Sequence, residues 1–431
     1  EPRFNPGLGQ RLDLAGNRPD GRAQMNELQS FFGRVTYHYQ GKYMVTGTVR
    51  ADGSSKFGEN NRYGTFPSFA AGWRLSDESF MGWSPFNNLK LRGGWGQTGN
   101  QEIPNKITQE SFVASTGSGD TYPLFEGPYP VGTVFVRLAN PDIQWEVSTQ
   151  TNIGLDFGLF GGALSGTIDY FHKVSNNILV EVPAFDPVSP APTYWTNVPD
   201  MTITNNGLEL ALDYQRRNVS GFSYAIGANA TFINNVVEDS PFAVLTTGSV
   251  SGTGQTGATI NGMINGHPIG SFYLQEFLGI DPASGQSIYK DPPVPDGDRR
   301  YVVGKALPDL MYNLYANLGY KGFDLSLNFN GVSGVEIFNH TALQEFSKPQ
   351  LASSWNVVPK AVEFPDEAIT NAPLVSTRYL EDGSFFRLNN MTLGYTFNTN
   401  SLDWLQRLRL SFTGQNLFVI TDYSGYDPEV N

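Results

Sequence analysis

The stretch FGRVTYHYQGKYMVTGTVR, residues 32–50, contains two runs in which apolar or aromatic side chains alternate with polar ones. In the first run the alternating sets are Val35, Tyr37 and Tyr39 against Arg34, Thr36 and His38. Because successive side chains of a strand point to opposite faces, this period of two predicts strands with one apolar and one polar face. The two runs are separated by a short turn at Gln40 and Gly41, so we expect a hairpin.

The same alternation recurs along the chain and predicts about twelve long strands in an all-β fold. The further segments are 64–75, 88–97, 145–157, 163–173, 207–215, 222–232, 307–320, 323–330, 384–397 and 406–414. The composition agrees, because aromatic residues make up 13% and charged residues only 16% of the chain, and it contains 47 glycines. Soluble domains average about 25% charged residues.

The connections between these strands alternate in length. Beginning with the Gln40-Gly41 turn, every second connection is short, apart from a longer one at 76–88. The other connections, which alternate with these short ones, are predicted to be loops, and most of them are long. They lie at 52–63, 98–144, 174–201, 235–306 and 333–379. Outer-membrane barrels have short turns at the periplasmic end and long loops at the extracellular end. A soluble sandwich need not show this alternation, so we predict a transmembrane antiparallel β-barrel.

Two stretches inside the predicted loops allow further expectations. Residues 51–61, ADGSSKFGENN, are rich in residues that favour reversals, and we expect them to serve mainly the turn. Residues 268–280 have strand character but would break the alternation of loop lengths if they joined the barrel alone. They either pair with 285–290 or belong to the fold of the loop, and the sequence leaves both alternatives open.

Composition and motifs argue against several classes of function. The net charge of −13, without an evident basic patch, argues against nucleic acid as a partner. The absence of cysteine excludes disulfides, thiolate metal sites and cysteine nucleophiles. No apolar run approaches the roughly 20 residues of a membrane-spanning helix. No nucleophile elbow is present, so we predict that the chain is not an enzyme.

Three weak motifs are better explained without a ligand. Residues 252–257 match G-x-G-x-x-G, but no helix-forming run follows, as nucleotide binding requires. The stretch DPPVPDGD at 291–298 has three carboxylates, yet its prolines favour a solvated loop over a calcium site. The four histidines, His38, His172, His267 and His340, lack the spacing of a zinc site. We therefore predict neither a cofactor nor a metal.

Five stretches resemble the SusC/RagA family of TonB-dependent outer-membrane transporters from Bacteroidetes, and they occur in the family's order. They are 32–81 (FGRVTYHYQ…DESFM), NLKLRGGWGQTGN at 88–100, NPDIQWEVSTQTNIGLDFGLF at 140–160, GYKGFDLSL at 319–327, and YLEDGSFFRLNNMTLGYTF…GQNLFVITDYSGYDPEV within 379–430. Spread over nearly the whole chain, these stretches are specific as a set.

The resemblance implies that residues 1–431 are the C-terminal part of a plugged barrel of about 22 strands, without its TonB box, plug and final strand. It also implies uptake of an oligosaccharide or a peptide, energised by the TonB complex, with a SusD-like surface lipoprotein over the long loops. Whether two pairs of transporter and lipoprotein associate with each other is left open. The alternatives are a siderophore or cobalamin receptor of the TonB-dependent class, and a secreted β-rich glycan-binding protein.

Three sets of residues are candidates for contacts. Aromatic residues in the predicted loops are candidates for contact with substrate or partner: Tyr122, Tyr129, Tyr194, Trp195, Phe346 and Trp355. Charged residues on the polar faces of strands are expected to face the lumen or the plug: Arg34, Arg50, Lys90, Arg92, Glu209, Asp213, Asp324 and Arg409. Aromatic residues on the apolar faces are expected in girdles at the membrane interfaces: Trp95, Tyr170, Tyr214, Tyr320 and Tyr395.

Overall fold

The computed structural model describes residues 25–82, 84–115, 132–183, 191, 193–216, 221–252, 255–291, 299–345, 348–353, 359–399 and 404–429. Twelve long strands form one antiparallel sheet in chain order. They are β1 (Leu28–Tyr39), β2 (Tyr43–Ser54), β3 (Tyr63–Arg74), β4 (Phe86–Asn100), β5 (Glu146–Leu159), β6 (Leu164–Pro183), β7 (Thr193–Arg216), β8 (Phe222–Glu238), β9 (Leu310–Tyr320), β10 (Phe323–Ser333), β11 (Phe385–Phe397) and β12 (Leu408–Thr421). Each falls on a segment that the alternation predicts, so the all-β, antiparallel fold is confirmed.

The remaining elements are short and lie in the connections. An α-helix spans His340–Glu345, and 3₁₀ turns occupy Glu59–Asn61, Leu75–Asp77, Ser79–Met81, Phe160–Gly162, Lys348–Ser353, Pro359–Val362 and Thr377–Tyr379. Short strands lie at Ser111–Ser115, Gly132–Arg137, Leu245–Gly252, Gln255–Met263, Ser271–Gln275, Phe277–Ile280, Ser287–Tyr289, Arg300–Lys305, Glu336–Phe338 and Leu380–Asp382. Among the described helices, none has the length and apolar character needed to cross a membrane.

The β1–β2 hairpin shows how the turns fix the register. Gln40 and Gly41 both have positive φ, 52° and 69°, as the two central residues of a type I′ turn require. The Lys42 amide donates to the Tyr39 carbonyl at 3.0 Å. The ladder then continues without a bulge from the pair Tyr39–Tyr43 to the far end of both strands. This register keeps the apolar side chains of both strands on one face.

The two faces of the sheet differ as predicted. Apolar and aromatic side chains of the outward face are strongly exposed, for example Val35 at 74% and Ile153 at 58%. At the short-turn end, aromatic rings of neighbouring strands pack into a row, with ring centroids 6.3 Å apart for Tyr39 and Tyr43 and 4.5 Å apart for Phe323 and Tyr395. The predicted girdle residues Tyr214, Tyr320 and Tyr395 lie at this end, whereas Trp95 and Tyr170 lie further along their strands.

The alternation of short and long connections is also present, with one correction. The predicted loop 174–201 is mostly strand, because β6 and β7 pair as far as Pro183 and Thr193 and only 184–192 separates them. The reason is burial on both faces: Ile178, Leu179 and Val180 are 2%, 9% and 5% exposed. A strand covered on both sides is apolar at successive positions and shows no period of two.

This extended β6–β7 hairpin separates two hydrophobic cores at the long-loop end of the main sheet. The first outer core lies on one face of the hairpin and includes residues of β8 and the β8–β9 loop: Ile178, Val180, Val182, Val198, Met201, Ile203, Val237 and Leu245. The second outer core lies on the other face and includes residues of the β2–β3 and β4–β5 connections: Phe57, Phe66, Ile103, Ile107, Ile143, Trp145 and Leu179. The outer loops are therefore packed against one another.

The β2–β3 connection contributes to the second outer core. Phe57, inside the stretch ADGSSKFGENN, is 2% exposed, and its ring centroid lies 4.7 Å from that of Trp145. Gly58 meets the neighbouring connection, because a Cβ there would lie 2.0 Å from the carbonyl oxygen of Pro141. The turn-forming residues thus bring one aromatic side chain and one close backbone contact to the β4–β5 connection.

Residues 268–305 belong to the β8–β9 loop, and both alternatives left open by the sequence apply. Ser271–Gln275 joins a four-stranded loop sheet with Leu245–Gly252, Gln255–Met263 and Arg300–Lys305. Phe277–Ile280 instead pairs with Ser287–Tyr289, close to the predicted partner 285–290. Neither strand enters the twelve-stranded sheet, so the alternation of connection lengths is preserved.

Two isoleucines ten residues apart on β6 provide a test of the outer core. Ile178 is 2% exposed, whereas Ile168 is 42% exposed on the outward face. We expect Ile178→Ala to lower the free energy of unfolding by about 2–4 kcal/mol because it leaves a cavity. Ile168→Ala should lower the free energy of unfolding by about half as much, because the medium around the exposed face fills the vacated space. Denaturant titration of the folded protein measures both, and equal losses would contradict the packing described.

Candidate functional site

The charged residues predicted to face the lumen all lie in strands of the main sheet, on its polar face. Pairing places Arg34 opposite Thr48, Arg92 opposite Gly154, and Asp213 opposite Gly227. Arg34 lies on β1, and the other seven residues of the set are Arg50 on β2, Lys90 and Arg92 on β4, Glu209 and Asp213 on β7, Asp324 on β10 and Arg409 on β12. They form a polar wall that we call the lumen wall.

Arg92 connects three neighbouring strands of the lumen wall. Its Nε donates to Asp156 on β5 at 2.8 Å, and its Nη2 reaches Asp169 on β6 at 2.5 Å. The second contact passes over Gly154 of β5, which lies between Arg92 and Asp169 in the register. A Cβ on Gly154 would lie 2.2 Å from the Asp169 carboxylate and 2.8 Å from the guanidinium carbon. The missing side chain therefore makes room for the ion pair.

The same arrangement occurs twice more. The Tyr315 hydroxyl on β9 donates to Asp213 on β7 across Gly227 of β8, where a Cβ would meet both partners. Near the β12 edge of the sheet, on the same face, Arg409 donates to Asp324, with Nε to Oδ1 at 3.0 Å, across Gly394 of β11. In all three cases a glycine in the middle strand lets polar groups two strands apart bind each other.

The other predicted lumen residues have partners close by. Arg50 donates to Asp52 at 2.7 Å and to Ser30 at 3.0 Å, and Arg34 donates to Thr48 at 3.1 Å. Lys90 lies 3.7 Å from the Asp156 carboxylate. Among the described residues Glu209 has neither a hydrogen-bond nor an ion-pair partner. Most charges of the lumen wall are thus paired within the wall, and their contact with a plug stays a prediction.

Neutral polar side chains occupy much of the remaining lumen wall. Asn313 donates to Asn229 at 3.1 Å, and Ser326 donates to Asn317 at 2.8 Å. The hydroxyls of Thr392 and Thr413 lie 3.0 Å apart across β11 and β12. Hydroxyl and amide groups can donate and accept hydrogen bonds, so this surface suits an uncharged polar molecule.

A cleft of about 590 Å³ lies where the lumen wall meets the outer loops. Its floor includes Val332 and Phe385 at the outer ends of β10 and β11, and the loop sheet contributes Asn261 and Phe272. The other walls come from residues 336–341 and from the residues that follow β12, including Tyr423 and Glu429. The cleft combines apolar surface with carboxylate, amide and hydroxyl groups. We call it the outer cleft.

Two of the six predicted contact aromatics lie in the described residues, and both are in β7 rather than in a loop. Tyr194 packs against the first outer core and Trp195 against the second. The Trp195 carbonyl also accepts a hydrogen bond from Asn140 at 2.9 Å. Both residues help to hold the outer connections together. Tyr122, Tyr129, Phe346 and Trp355 lie outside the described residues.

The weak motifs gather no ligand set in the part of the chain that the structure describes. It holds no group of three or more His, Asp or Glu side chains placed to bind a metal ion. His172 hydrogen-bonds Asn206, and His340 lies 3.2 Å from Gln344. Asp291 is described, whereas the rest of 291–298 and two residues of 252–257 lie outside the description.

Comparison with known proteins agrees with this geometry. The family model described as the TonB-dependent receptor-like β-barrel matches residues 3–417. The chain belongs to this TonB-dependent receptor β-barrel family. It is 30% identical to TonB-dependent receptor P3 of Formosa agariphila, over 96% of this chain and 43% of that protein. It is 28% identical to TonB-dependent receptor SusC of Bacteroides thetaiotaomicron, over 95% of this chain and 42% of that protein.

The solved structure of the RagAB peptide transporter has a similar fold. The match has a TM-score of 0.79 at 24% identity, and covers 97% of this chain and 47% of the other. This chain therefore spans less than half the length of these relatives. As a TonB-dependent receptor β-barrel it is an outer-membrane protein, its exposed apolar face meets lipid, and its family is not a class of enzymes.

One strong electrostatic contact of this TonB-dependent receptor barrel lies outside the membrane, within the β10–β11 loop where that loop meets the β8–β9 loop. Glu367 and Arg378 form two hydrogen bonds, at 2.7 and 2.9 Å, and their side chains are 0% and 8% exposed. The Arg378 guanidinium also lies 5.4 Å from the ring centre of Phe277 in the β8–β9 loop. Asn371 donates to Glu367 and to Ser287 at 2.7 and 2.9 Å. These contacts join the β8–β9 and β10–β11 loops.

The pKa of Glu367 reflects this environment. Burial opposes ionisation of the carboxyl, but the hydrogen bonds from Arg378 and Asn371 outweigh burial and lower the pKa below its ordinary value. The carboxylate is consequently the form that holds Arg378 and Asn371, the two residues that contact the β8–β9 loop.

Sequence reasoning missed Glu367, Arg378 and the buried Arg387 on β11. Arg387 is included in a stretch that resembles the family, FFRL at 385–388, but nothing in its spacing indicates ion pairing. Glu367 and Arg378 lie in a loop without periodicity, so burial of their charges has no sequence signal. The one available hint is composition, because charged residues are few and each is more prone to have a specific partner.

The glycine in the Arg92 contact can be tested directly. We expect Gly154→Ala to lower the free energy of unfolding by about 1–3 kcal/mol, because the Cβ displaces Asp169 from Arg92. Gly94→Ala is the matched control, since its nearest contact would be an ordinary 3.6 Å. Equal effects of the two substitutions on denaturant unfolding in detergent would contradict this role of Gly154.

The Glu367–Arg378 contact predicts acid sensitivity of the loops. Because the folded-state pKa is lowered, the carboxylate contributes stability above the unfolded pKa, which is about 4.3 for glutamate. That stability is lost as the pH falls below this value. Hydrogen exchange at 277–289, corrected for intrinsic rates, should therefore accelerate in acid in the wild type.

Two variants complete this experiment. Glu367→Gln should raise exchange already at neutral pH and show less further change in acid, because it lacks the titrating group. Glu276→Gln is the control, since its ion pair with Lys290 is partly exposed, at 37% and 47%, and should matter little. Acid acceleration that is unchanged in Glu367→Gln would show that another group is responsible.

Proposed function

We propose that this chain is the C-terminal part of the barrel of a TonB-energised importer, and that further strands close the barrel. The observation that carries the proposal is the open sheet: in the described residues β1 pairs only with β2, and β12 only with β11. The described residues of β1 are exposed along its whole length. Unpaired backbone groups are costly in lipid, so both edges need partner strands.

The size of the sheet supports a plugged barrel. The main sheet of the described residues has twelve strands, and related proteins are more than twice as long as this chain. A barrel of about 22 strands encloses a lumen wide enough for a plug. In the proposed whole, Glu209 and the exposed parts of the other lumen residues face this plug.

The proposed substrate is an oligosaccharide or a peptide that enters through the outer cleft. The paired charges and the neutral amides of the lumen wall support an uncharged or weakly charged polar chain as substrate. The structural neighbour RagAB is named as a peptide transporter, which supports the peptide alternative. The predicted contacts at Tyr122, Tyr129, Phe346 and Trp355 belong to the same proposal.

A SusD-like surface lipoprotein is the proposed partner over the outer loops, and the TonB complex is the proposed source of energy. Exposed apolar side chains on these loops support a protein partner, for example Leu278 at 59% and Ile369 at 53%. They lie in the two loops that Arg378 and Asn371 hold together through Phe277 and Ser287. A firmly packed surface of this kind loses little entropy on binding.

The test is to purify the full-length protein from outer membranes in mild detergent and to identify by mass spectrometry what accompanies it. A stoichiometric surface lipoprotein, and tryptic peptides from beyond residues 1–431, are expected. A soluble protein of this length without a partner would overturn the proposal and favour a secreted binding module.

Uptake assays complete the test. We expect import of labelled oligosaccharides or peptides to stop without TonB. Thr341→Trp, which fills part of the outer cleft, should lower uptake several-fold. Glu345→Trp on the same short helix does not line the cleft and serves as the control. Equal uptake by the two variants would exclude the outer cleft as the route.

A further inference from the structure

The residues that follow β12 include the sequence SGYDPEV, 424–430, which is part of a stretch that resembles the family. The described part, residues 422–429, is here called the post-β12 segment. It leaves the sheet at Thr421 and turns back over the lumen face of β10 and β11, where Tyr423 and Glu429 line the outer cleft. Its position therefore decides the shape of one cleft wall.

A buried arginine binds both acidic residues of this motif. Arg387 on β11 has a side chain only 6% exposed, and its Nη2 lies 2.5 Å from Asp427. Its Nη1 lies 3.1 Å from Glu429. Asn330, opposite Arg387 in the β10–β11 register, donates to Glu429 at 3.2 Å. The guanidinium thus holds two carboxylates of a segment that has no strand partner.

The turn itself is preorganised for this contact. The Glu429 amide donates to the Asp427 carboxylate at 2.9 Å, which brings both acids to the same side. Hydrogen bonding to Arg387 lowers the pKa of Asp427 despite partial burial, so the acid is ionised at neutral pH. Pro428 between them restricts the backbone. The motif therefore presents two carboxylates in the geometry that one guanidinium can bind.

A second group of contacts holds the beginning of the segment. The Ser424 amide and hydroxyl both donate to Glu381 at 2.7 Å. The buried Asn339 donates to Glu381 at 3.1 Å and to Ser424 at 3.2 Å. Between the two attachment points the ring of Tyr426 is fully exposed. The segment is consequently fixed at both ends, with one aromatic side chain free between them.

We propose that Arg387 is a positioning residue. It holds the DPE motif, residues 427–429, against the lumen face as a clamp, and so fixes the wall of the outer cleft that the post-β12 segment forms. The role of the cleft in uptake rests on the proposed function, whereas the clamp itself does not. Loss of the clamp leaves the strands paired but frees residues 425–429 to move. The expected result is a cleft of altered shape in an otherwise folded barrel.

The test measures mobility of a nitroxide spin label at position 426 in the full-length protein in detergent. The 431 residues contain no cysteine, so Tyr426→Cys supplies the only thiol among them. We expect Arg387→Met and the double variant Asp427→Asn/Glu429→Gln to raise the mobile fraction about tenfold or more. Arg387→Lys keeps the charge but not the fork geometry of the guanidinium. Its mobile fraction should lie between that of these two variants and that of the parent protein.

Arg409→Met is the matched control. It removes another arginine–carboxylate pair of the same hairpin, but at the opposite end of β11 and β12. In this variant the spin label at position 426 should remain as immobile as in the parent protein. Unchanged mobility in the acidic double variant would overturn the proposal, and this variant decides the matter if Arg387→Met does not fold.

Uptake kinetics separate this inference from the proposed function. If both hold, the acidic double variant raises KM for the imported substrate with little change in maximal rate, because cleft binding is weakened and not the energised step. If the label becomes mobile and uptake is unchanged, the clamp is real and the cleft is not the route. If the label stays immobile, the clamp is wrong whatever the uptake.

Discussion

The need to pair every backbone N–H and C=O group within lipid governs this structure. No water is present in hydrocarbon to replace a missing partner, so strands must pair along the full width of the membrane. The twelve-stranded ladder meets this need through short turns at one end, where positive φ at residues such as Gln40 and Gly41 lets the chain reverse at once. The same constraint makes the two open edges incompatible with an isolated sheet in a bilayer.

Once the ladder is fixed, the side chains of the lumen wall can interact only across strands. Strands lie about 4.8 Å apart, so groups two strands apart meet only if the intervening side chain is missing. Gly154, Gly227 and Gly394 meet this requirement. The wall thereby pairs most of its charges internally, and hydroxyl and amide groups occupy much of the surface that remains.

These same features explain what the sequence could predict. The strands were predictable because lipid on one face and a polar lumen on the other impose a period of two. The outer end of the β6–β7 hairpin was mistaken for a loop because Ile178, Leu179 and Val180 are buried together and erase that period. The partners of Arg92 could not be predicted, because they depend on the register of three strands. Tyr194 and Trp195 were predicted as candidates for contact with substrate or partner, and the structure shows them packed against the two outer cores.

The outer loops add a second structural layer to the barrel, with its own packing. The two outer cores, the contacts of Arg378 and Asn371 with the β8–β9 loop, and the contacts that hold the post-β12 segment link successive loops from the β2–β3 connection onward. Long loops tolerate insertions easily when they are unpacked. Here each loop contacts the next, so displacement of one loop costs contacts in its neighbours. The cleft between these loops and the lumen wall is therefore a preformed surface, and its shape depends on contacts far apart in the sequence.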